Sequence, residues 1–586
     1  MNDTFSNNKF LTGFTWKIGG EAGYGIMSSG LIFAKTCLRS GYFVVDANEY
    51  PSLIRGGHNT YIVRASTEKI FSIVKSVDVL VALNKNAVVY DQDELSSDSH
   101  IILNTDKVSE DEVKSLTKSK VYPIPLISLA KESGGKDVMA NTVALGATVA
   151  LLNGDFEVLS AVIAEVFGAN KKEVVDINVA VAKAGFDYTK EHFQVKTNYS
   201  LQKQEGKEEL LFLSGNDGIC LGAVRAGCKF FAAYPMTPIN SIINYFAKKG
   251  PEIGVVYKQP EDEISAINMA IGASFAGVRA MTATSGGGFS LMTEGYGMAG
   301  ITETPLVIIE GQRPGPATGL PTWGGQADLK FVLHAAQDEF LRIVLAPGDP
   351  EESFWLTAEA FNLAEKYQTT VLVLTDKHLG ESRYWSPMIN ASDYKIERGA
   401  LLSETDQQKE YQRYEITNSG ISPRAIPGRK GFTFRANSDE HSELGFSEES
   451  AENRAAQMEK RMKKLELCQK EIPDPKVYGD KNAKIILVGW GSSKGPILEA
   501  QKMLAERKIA TKFLHLTYMN PLPEKFLEKF FGTVKKEKVL MVEQNYTAQC
   551  AALIREKIGY EIKDKFLKYD GRPFYPEEIV EKVRDL

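Results

Sequence analysis

Three times along the chain an apolar, strand-like run breaks into a glycine-rich turn, and this recurrence limits the fold more than any other feature. Phe14-Thr15-Trp16-Lys17-Ile18 runs into Gly19-Gly20-Glu21-Ala22-Gly23-Tyr24-Gly25, Arg279 to Thr284 into Gly286-Gly287-Gly288, and Ala483 to Val488 into Gly489-Trp490-Gly491. Ile26 to Leu38 then has helical spacing, and strand, tight turn and helix in alternation is the pattern of α/β sheets. A chain of 586 residues exceeds a single core. The reading is therefore three α/β domains: 1–195 with a largely parallel sheet, 210–385, and 482–586. A polar linker at 196–209 lacks apolar periodicity. Region 386–481 turns charged, and its helix-like piece near Glu448 to Lys470 reads as a solvated connector.

Composition narrows the function classes. Hydrophobic residues at 43% and charged residues at 25% place the chain among globular proteins, away from disordered ones. A net charge of -6, with no dominant Lys/Arg cluster, argues against nucleic acid as a partner. Met1 to Phe14 contains no basic stretch followed by an apolar one, and no later run reaches bilayer length, so a cytoplasmic, unanchored protein is expected. The five cysteines are scattered and not spaced like metal-binding pairs, so reduced thiols are expected and no metal site on this chain.

The candidate chemistry sits in loops after strands. Gly23 and Gly25, between strand and helix, suit a phosphate-facing turn, and Asp46 lies near where a ribose-binding acid would fall; Ser28 stands where a dinucleotide fingerprint has its third glycine. Arg55, in Arg55-Gly56-Gly57-His58-Asn59, is either a phosphate partner or structural. Tyr234-Pro235-Met236-Thr237-Pro238 ends the strand candidate Lys229 to Ala233, and its prolines hold the backbone extended around the Thr237 hydroxyl. Glu261-Asp262-Glu263 precedes a small-residue helix, where capping explains at least two of the three acids. Arg313 follows the strand candidate Leu306 to Glu310 and is a candidate for bidentate carboxylate binding. If the sheet is parallel, Thr237, the triple glycine and Arg313 gather on one rim.

In order, YPMTP, EDEISAINMAIGASFAG, TSGGGFSLMTEG and QRPGPATGLPT resemble the alpha subunit of the 2-oxo acid:ferredoxin oxidoreductases, and GGEAGYG and RGGHN resemble the gamma domain fused ahead of it. The resemblance implies that the central domain is a parallel sheet of the thiamine-diphosphate pyrimidine-binding type, with helices on both faces. It implies that Glu263, nine residues before Gly272, is the carboxylate that activates the cofactor, with Glu261 as fallback. It implies cofactor contacts at Pro235, Ser285, Gly286 and Gly287, and substrate contacts at Thr237, Arg313, Tyr234 and Thr318. Coenzyme A contacts are implied at Arg55, Gly23 and Gly25. The sequence departs from the family pattern at Glu21, at Ala317 and in the triple glycine.

The implied activity is oxidative decarboxylation of a 2-oxo acid to acyl-CoA and CO2 with reduction of ferredoxin, in either direction. The fused gamma–alpha layout favours 2-oxoglutarate; pyruvate, branched-chain and aryl 2-oxo acids are the alternatives. The sequence has no Gly-Asp-Gly diphosphate motif and no cysteine cluster, so Mg2+ and a 4Fe–4S centre are expected on a beta subunit within an (αβ)2 heterotetramer. A nicotinamide or flavin dehydrogenase built on the first glycine turn and a non-catalytic scaffold subunit are the rival readings.

Overall fold

A computed structural model describes residues 12–53, 57–168, 171–194, 197–206, 209–403, 405–406, 410–534 and 538–586. Arg55, and residues 196, 207 and 208 of the expected linker, lie outside this set. The chain forms two compact units. One holds the residues up to Phe212 with Ser382–Met388 and Tyr575–Glu577; the other holds Leu213–Glu381, Ile389–Phe574 and Glu578–Leu586.

In the first unit the strand order is Lys120–Ile124, Leu95–Asn104, Val77–Ala82, Gly13–Glu21, His58–Ser66, Phe43–Glu49, Arg383–Pro387. The first four strands are mutually parallel, as the alternating pattern predicts. Beyond Gly13–Glu21 the sheet turns antiparallel. The cause is local: the few residues between Glu49 and His58 are too short a connection for a parallel crossover, which takes a dozen or more, so the two strands pair as a hairpin. Trp16, Phe33 and Tyr61 are fully buried between this sheet and the helix Ile26–Arg39.

In the second unit a seven-stranded sheet runs Tyr518–Asn520, Ile343–Leu345, Thr370–Asp376, Leu306–Gln312, Ala280–Thr284, Phe230–Ala232, Val256–Lys258. Every pair is parallel except Tyr518–Asn520 with Ile343–Leu345. Leu306–Gln312 and Thr370–Asp376 are buried along their whole length, as expected of parallel strands covered on both faces. A second, five-stranded sheet is built from Lys476–Gly479, Thr511–Leu516, Ile485–Trp490, Lys538–Glu543 and Asp564–Leu567. One apolar cluster links the two sheets through Ile308, Phe289 and Leu374 on one side and Trp490, Leu514 and Met541 on the other.

The helix Ala451–Glu471 corrects the expectation of a solvated connector. It buries Gln457, Lys460, Arg461, Lys464 and Cys468, and both lysine Nζ atoms meet the carboxylate of the buried Glu303. Its lysines repeat at i, i+4 on the inward face, and that face is charged because the core supplies a matching anion. Among the described residues, no helix is long and apolar enough to cross a membrane.

Candidate active site

The parallel order puts the carboxyl ends of Phe230–Ala232, Ala280–Thr284, Leu306–Gln312 and Thr370–Asp376 on one edge of the sheet, where loops form a ligand crevice. The three acids before the helix Glu263–Phe275 separate cleanly there. Asp262 is the N-cap, its side chain accepting from the Ser265 N–H at 2.8 Å, worth about 1 kcal/mol. Glu261 is exposed, whereas Glu263, the first helical residue, turns inward at 3% exposure. Its Oε1 is buried without a hydrogen-bond partner among the described residues. An unsatisfied buried carboxylate oxygen is costly, and the positive end of its own helix offsets part of that cost.

The helix Gly286–Ile301 closes over this carboxylate. A Cβ on Gly288 would lie 2.0 Å from Thr284 Oγ1 and 2.6 Å from Glu263 Oε1, so only a residue without a side chain leaves Glu263 its place. Ser285, the N-cap, is fully buried with an unpartnered hydroxyl. Gly287 is exposed, and the nearest atom to a Cβ there is the Ala317 carbonyl oxygen at 3.8 Å, which brings the triple glycine beside the Arg313 to Gly319 loop.

Arg313 Nη1 donates to the Thr237 carbonyl oxygen at 2.9 Å, joining two of the substrate-binding candidates directly. The guanidinium is half-buried; burial lowers its pKa while Asp328, Glu310 and Glu263 act in the opposite sense. The loop after Arg313 is anchored by Gln326, whose Nε2 donates to the Trp490 carbonyl at 2.9 Å and whose Oε1 accepts from the Gln544 N–H at 3.0 Å. Tyr234, at 37% exposure, Pro235 and Thr318 are exposed on the same rim loops.

Sequence reasoning missed two acids. Glu310 is fully buried with neither carboxylate oxygen partnered, and Asp328 stands beside it. The available signal was a glutamate inside the apolar strand Leu306–Gln312.

The N-terminal candidates lie in the first unit. Gly23 and Gly25 have φ of 95° and 68°, and Gly25 is the left-handed N-cap of Ile26–Arg39, its carbonyl accepting from Asn141 Nδ2 at 3.3 Å. Asp46 is buried, bonded by the Tyr61 hydroxyl and by the Arg383 N–H at 2.6 Å. The His58–Ser66 strand separates its strand from Gly13–Glu21, so the dinucleotide-binding arrangement, with the acid on the neighbouring parallel strand, is not formed. All five cysteines are buried and unpaired. Among the described residues no group of three or more His, Cys, Asp or Glu is placed to hold a metal ion.

Comparison with known proteins agrees with this geometry. Residues 221–460 match the model of the pyruvate flavodoxin/ferredoxin oxidoreductase thiamine-diphosphate-binding family, and residues 15–188 that of the pyruvate ferredoxin/flavodoxin oxidoreductase family. The chain is 33% identical to the 2-oxoacid:ferredoxin oxidoreductase subunit alpha of Saccharolobus solfataricus, over 97% of each chain. It is 29% identical to the 2-oxoglutarate oxidoreductase subunit KorA of Mycobacterium tuberculosis, over 97% of this chain and 90% of that one. Among solved structures, the 2-oxoglutarate:ferredoxin oxidoreductase of Magnetococcus marinus, with 2-oxoglutarate, coenzyme A and succinyl-CoA bound, superposes with a TM-score of 0.90 at 32% identity, over 98% of this chain and 99% of that one. The chain belongs to the alpha subunits of the 2-oxoacid:ferredoxin oxidoreductases, a thiamine-diphosphate-binding family of oxidoreductases.

Proposed function

We propose that this alpha subunit serves the CoA-dependent oxidation of 2-oxoglutarate, with Glu263 as its cofactor-activating carboxylate. The balanced reaction takes a 2-oxo acid, coenzyme A and two oxidised ferredoxins to acyl-CoA, CO2, a proton and two reduced ferredoxins. The observation that carries the reading is the orphaned Glu263 Oε1, held inward under Gly288 at the rim where Arg313 meets Thr237. The substrate choice draws on the 2-oxoglutarate in the names of the Mycobacterium tuberculosis and Magnetococcus marinus proteins.

The residues fit thiamine diphosphate. A buried acceptor without a partner among the described residues suits a ring N–H, and the open side of Gly287, where a Cβ would meet nothing nearer than the Ala317 carbonyl oxygen at 3.8 Å, leaves space in the same turn. When bound, the cofactor supplies a carbon nucleophile for the 2-oxo group and stores the electrons released by decarboxylation. Glu263 would accept the ring N–H at Oε1, and low local dielectric would strengthen that bond. Arg313, steadied by the Thr237 carbonyl, would bind the substrate carboxylate with its remaining N–H groups, and the Thr237 hydroxyl would orient it. Tyr234, Pro235 and Thr318 would line the approach, and Ser285 would face the cofactor. Gly23, Gly25 and Arg55 would contact coenzyme A. The diphosphate, Mg2+ and 4Fe–4S centre would belong to a beta subunit, because the sequence lacks Gly-Asp-Gly and any cysteine cluster. The site would then be complete only between chains, in an (αβ)2 assembly serving ferredoxin.

The test is to co-purify the chain with its partners, supply thiamine diphosphate, Mg2+ and coenzyme A, and follow viologen reduction across a panel of 2-oxo acids. The expected result is CoA-dependent reduction, fastest with 2-oxoglutarate, and a loss of several orders of magnitude in turnover for Glu263→Gln. Undiminished turnover in Glu263→Gln would favour a scaffold role instead.

A further inference from the structure

Behind Arg313 the sheet edge carries more negative charge than an anion-binding site tolerates. Glu310 lies in the strand Leu306–Gln312, in register with Thr284 on one side and Leu374 on the other, and is fully buried. Among the described residues no N–H or O–H reaches either of its oxygens. The polar group it does meet is another carboxyl, Asp328, and two carboxyl groups form a hydrogen bond only if one of them carries a proton. Asp376 faces the pair from the end of the next strand, already bonded by the Leu379 N–H at 3.0 Å; Arg313 faces it from the loop, and Glu263 faces Arg313 from its own helix. With all four carboxylates ionised, one guanidinium would be left to attract a substrate that is itself an anion.

The surroundings decide which member holds the proton. A Cβ on Gly286 would fall 2.6 Å from Asp328 Oδ2 and 3.0 Å from Oδ1, so this carboxylate sits against the first turn of the 16-residue helix Gly286–Ile301, where the helix dipole favours an anion. The Asp328 backbone N–H donates to Gln312 Oε1 at 3.2 Å, which fixes the residue in place. Glu310 has no donor among the described residues.

We propose that Glu310 is a protonated, neutral carboxylic acid that donates its proton to ionised Asp328, and that this singly charged pair positions Arg313 for the substrate carboxylate. The direction of titration agrees. Burial, followed by Asp328, pushes Glu310 well above the usual carboxylate range, and burial pushes Asp328 up to about 6. The two titrate as one system, and the proton that remains after the first is lost is the more tightly held. The proposal rests on Arg313 being the carboxylate-binding residue. Both acids are positioning residues, since they act through Arg313.

Two readouts test it. In the assembled enzyme, loss of the shared proton at alkaline pH adds a negative charge behind Arg313, so the KM for the 2-oxo acid is expected to rise with pH on that limb. Glu310→Gln keeps a neutral donor to Asp328. It is expected to stay within about threefold of wild-type kcat/KM at neutral pH and to lose the alkaline limb. The second readout needs no turnover: infrared spectra of the full chain should show a carboxylic-acid carbonyl band at neutral pH that is absent in Glu310→Gln and shifted in Asp328→Asn. An unchanged alkaline limb in Glu310→Gln, or a wild-type chain with no such band, would overturn the proposal. So would a band that Asp328→Asn leaves in place, which keeps the question decidable if Glu310→Gln does not fold. Because the infrared band does not depend on the reaction, it separates failure of this pair from failure of the functional reading.

Discussion

Gly288→Ala isolates the contact on which the active-site reading depends. The added methyl would stand 2.0 Å from Thr284 Oγ1, 2.6 Å from Glu263 Oε1 and 2.9 Å from Glu263 Cδ, where ordinary contact begins at 3.4 Å. Thr284 and Glu263 are both buried, so the Thr284 hydroxyl must rotate or the helix shift to relieve the tighter contact, and Glu263 must in addition give by most of an ångström. Overpacking of this kind costs about 1–3 kcal/mol, and the better helix propensity of alanine returns about 1 kcal/mol. The net loss of stability is therefore small, a few degrees in Tm. Catalysis should suffer far more, because about 1 Å of misplacement at a reacting group can cost about a hundredfold. Gly532→Ala is the control: it ends the helix Glu524–Gly532, a Cβ there would meet nothing within 4 Å, and it lies outside the rim loops, so activity should stay within about twofold. The assay is dye-coupled turnover of the assembled complex alongside a thermal melt of each variant. If Gly288→Ala keeps turnover within threefold, or if Gly532→Ala is equally damaging, Glu263 is not the group that Gly288 shelters.

Three further outcomes follow from other parts of the structure. Glu303→Gln leaves Lys460 and Lys464 as buried ammonium groups without their counter-ion and should lower stability by about 3–5 kcal/mol in denaturant melts, with Lys460→Met added to it recovering part of the loss. Burial would raise Glu440, but Arg461 and Arg454 outweigh it and hold the carboxylate at about 2, below its unfolded value of about 4.3. Its contribution is therefore complete above the unfolded value and lost as pH falls through about 2, so Glu440→Gln should flatten the acid side of the Tm profile across that interval. Gln326→Ala removes the bonds to Trp490 and Gln544 that hold the Arg313 loop; it should raise KM for the 2-oxo acid more than it lowers kcat, read from initial rates.

What could be read in the sequence and what could not divides along one physical line, the distance between a side chain and the partner that gives it meaning. The strands Ala280–Thr284 and Thr370–Asp376 and the helix Ile26–Arg39 were legible because periodicity and a flanking turn are local. The helix that Glu263 opens and its capping neighbour Asp262 were legible because they are adjacent in sequence. Arg313 and Thr237 could be placed on one rim because in a parallel sheet every strand delivers its loop to the same edge, although they are 76 residues apart. Charge resists that logic. A lysine face on Ala451–Glu471 reads the same whether it meets water or an anion, and its anion, Glu303, is 157 residues from Lys460. Glu310 is the sharper case: inside an apolar strand it looks like the last polar residue before a loop, and the acid that changes its chemistry arrives with Asp328, after that loop has turned back. The antiparallel pairing of Phe43–Glu49 with His58–Ser66 went unread for a different reason: the glycine turn marked a reversal, and it was the shortness of the connection that ruled out a crossover. Local pattern therefore predicted where the loops would gather, and packing brought to them acids that the pattern had not marked.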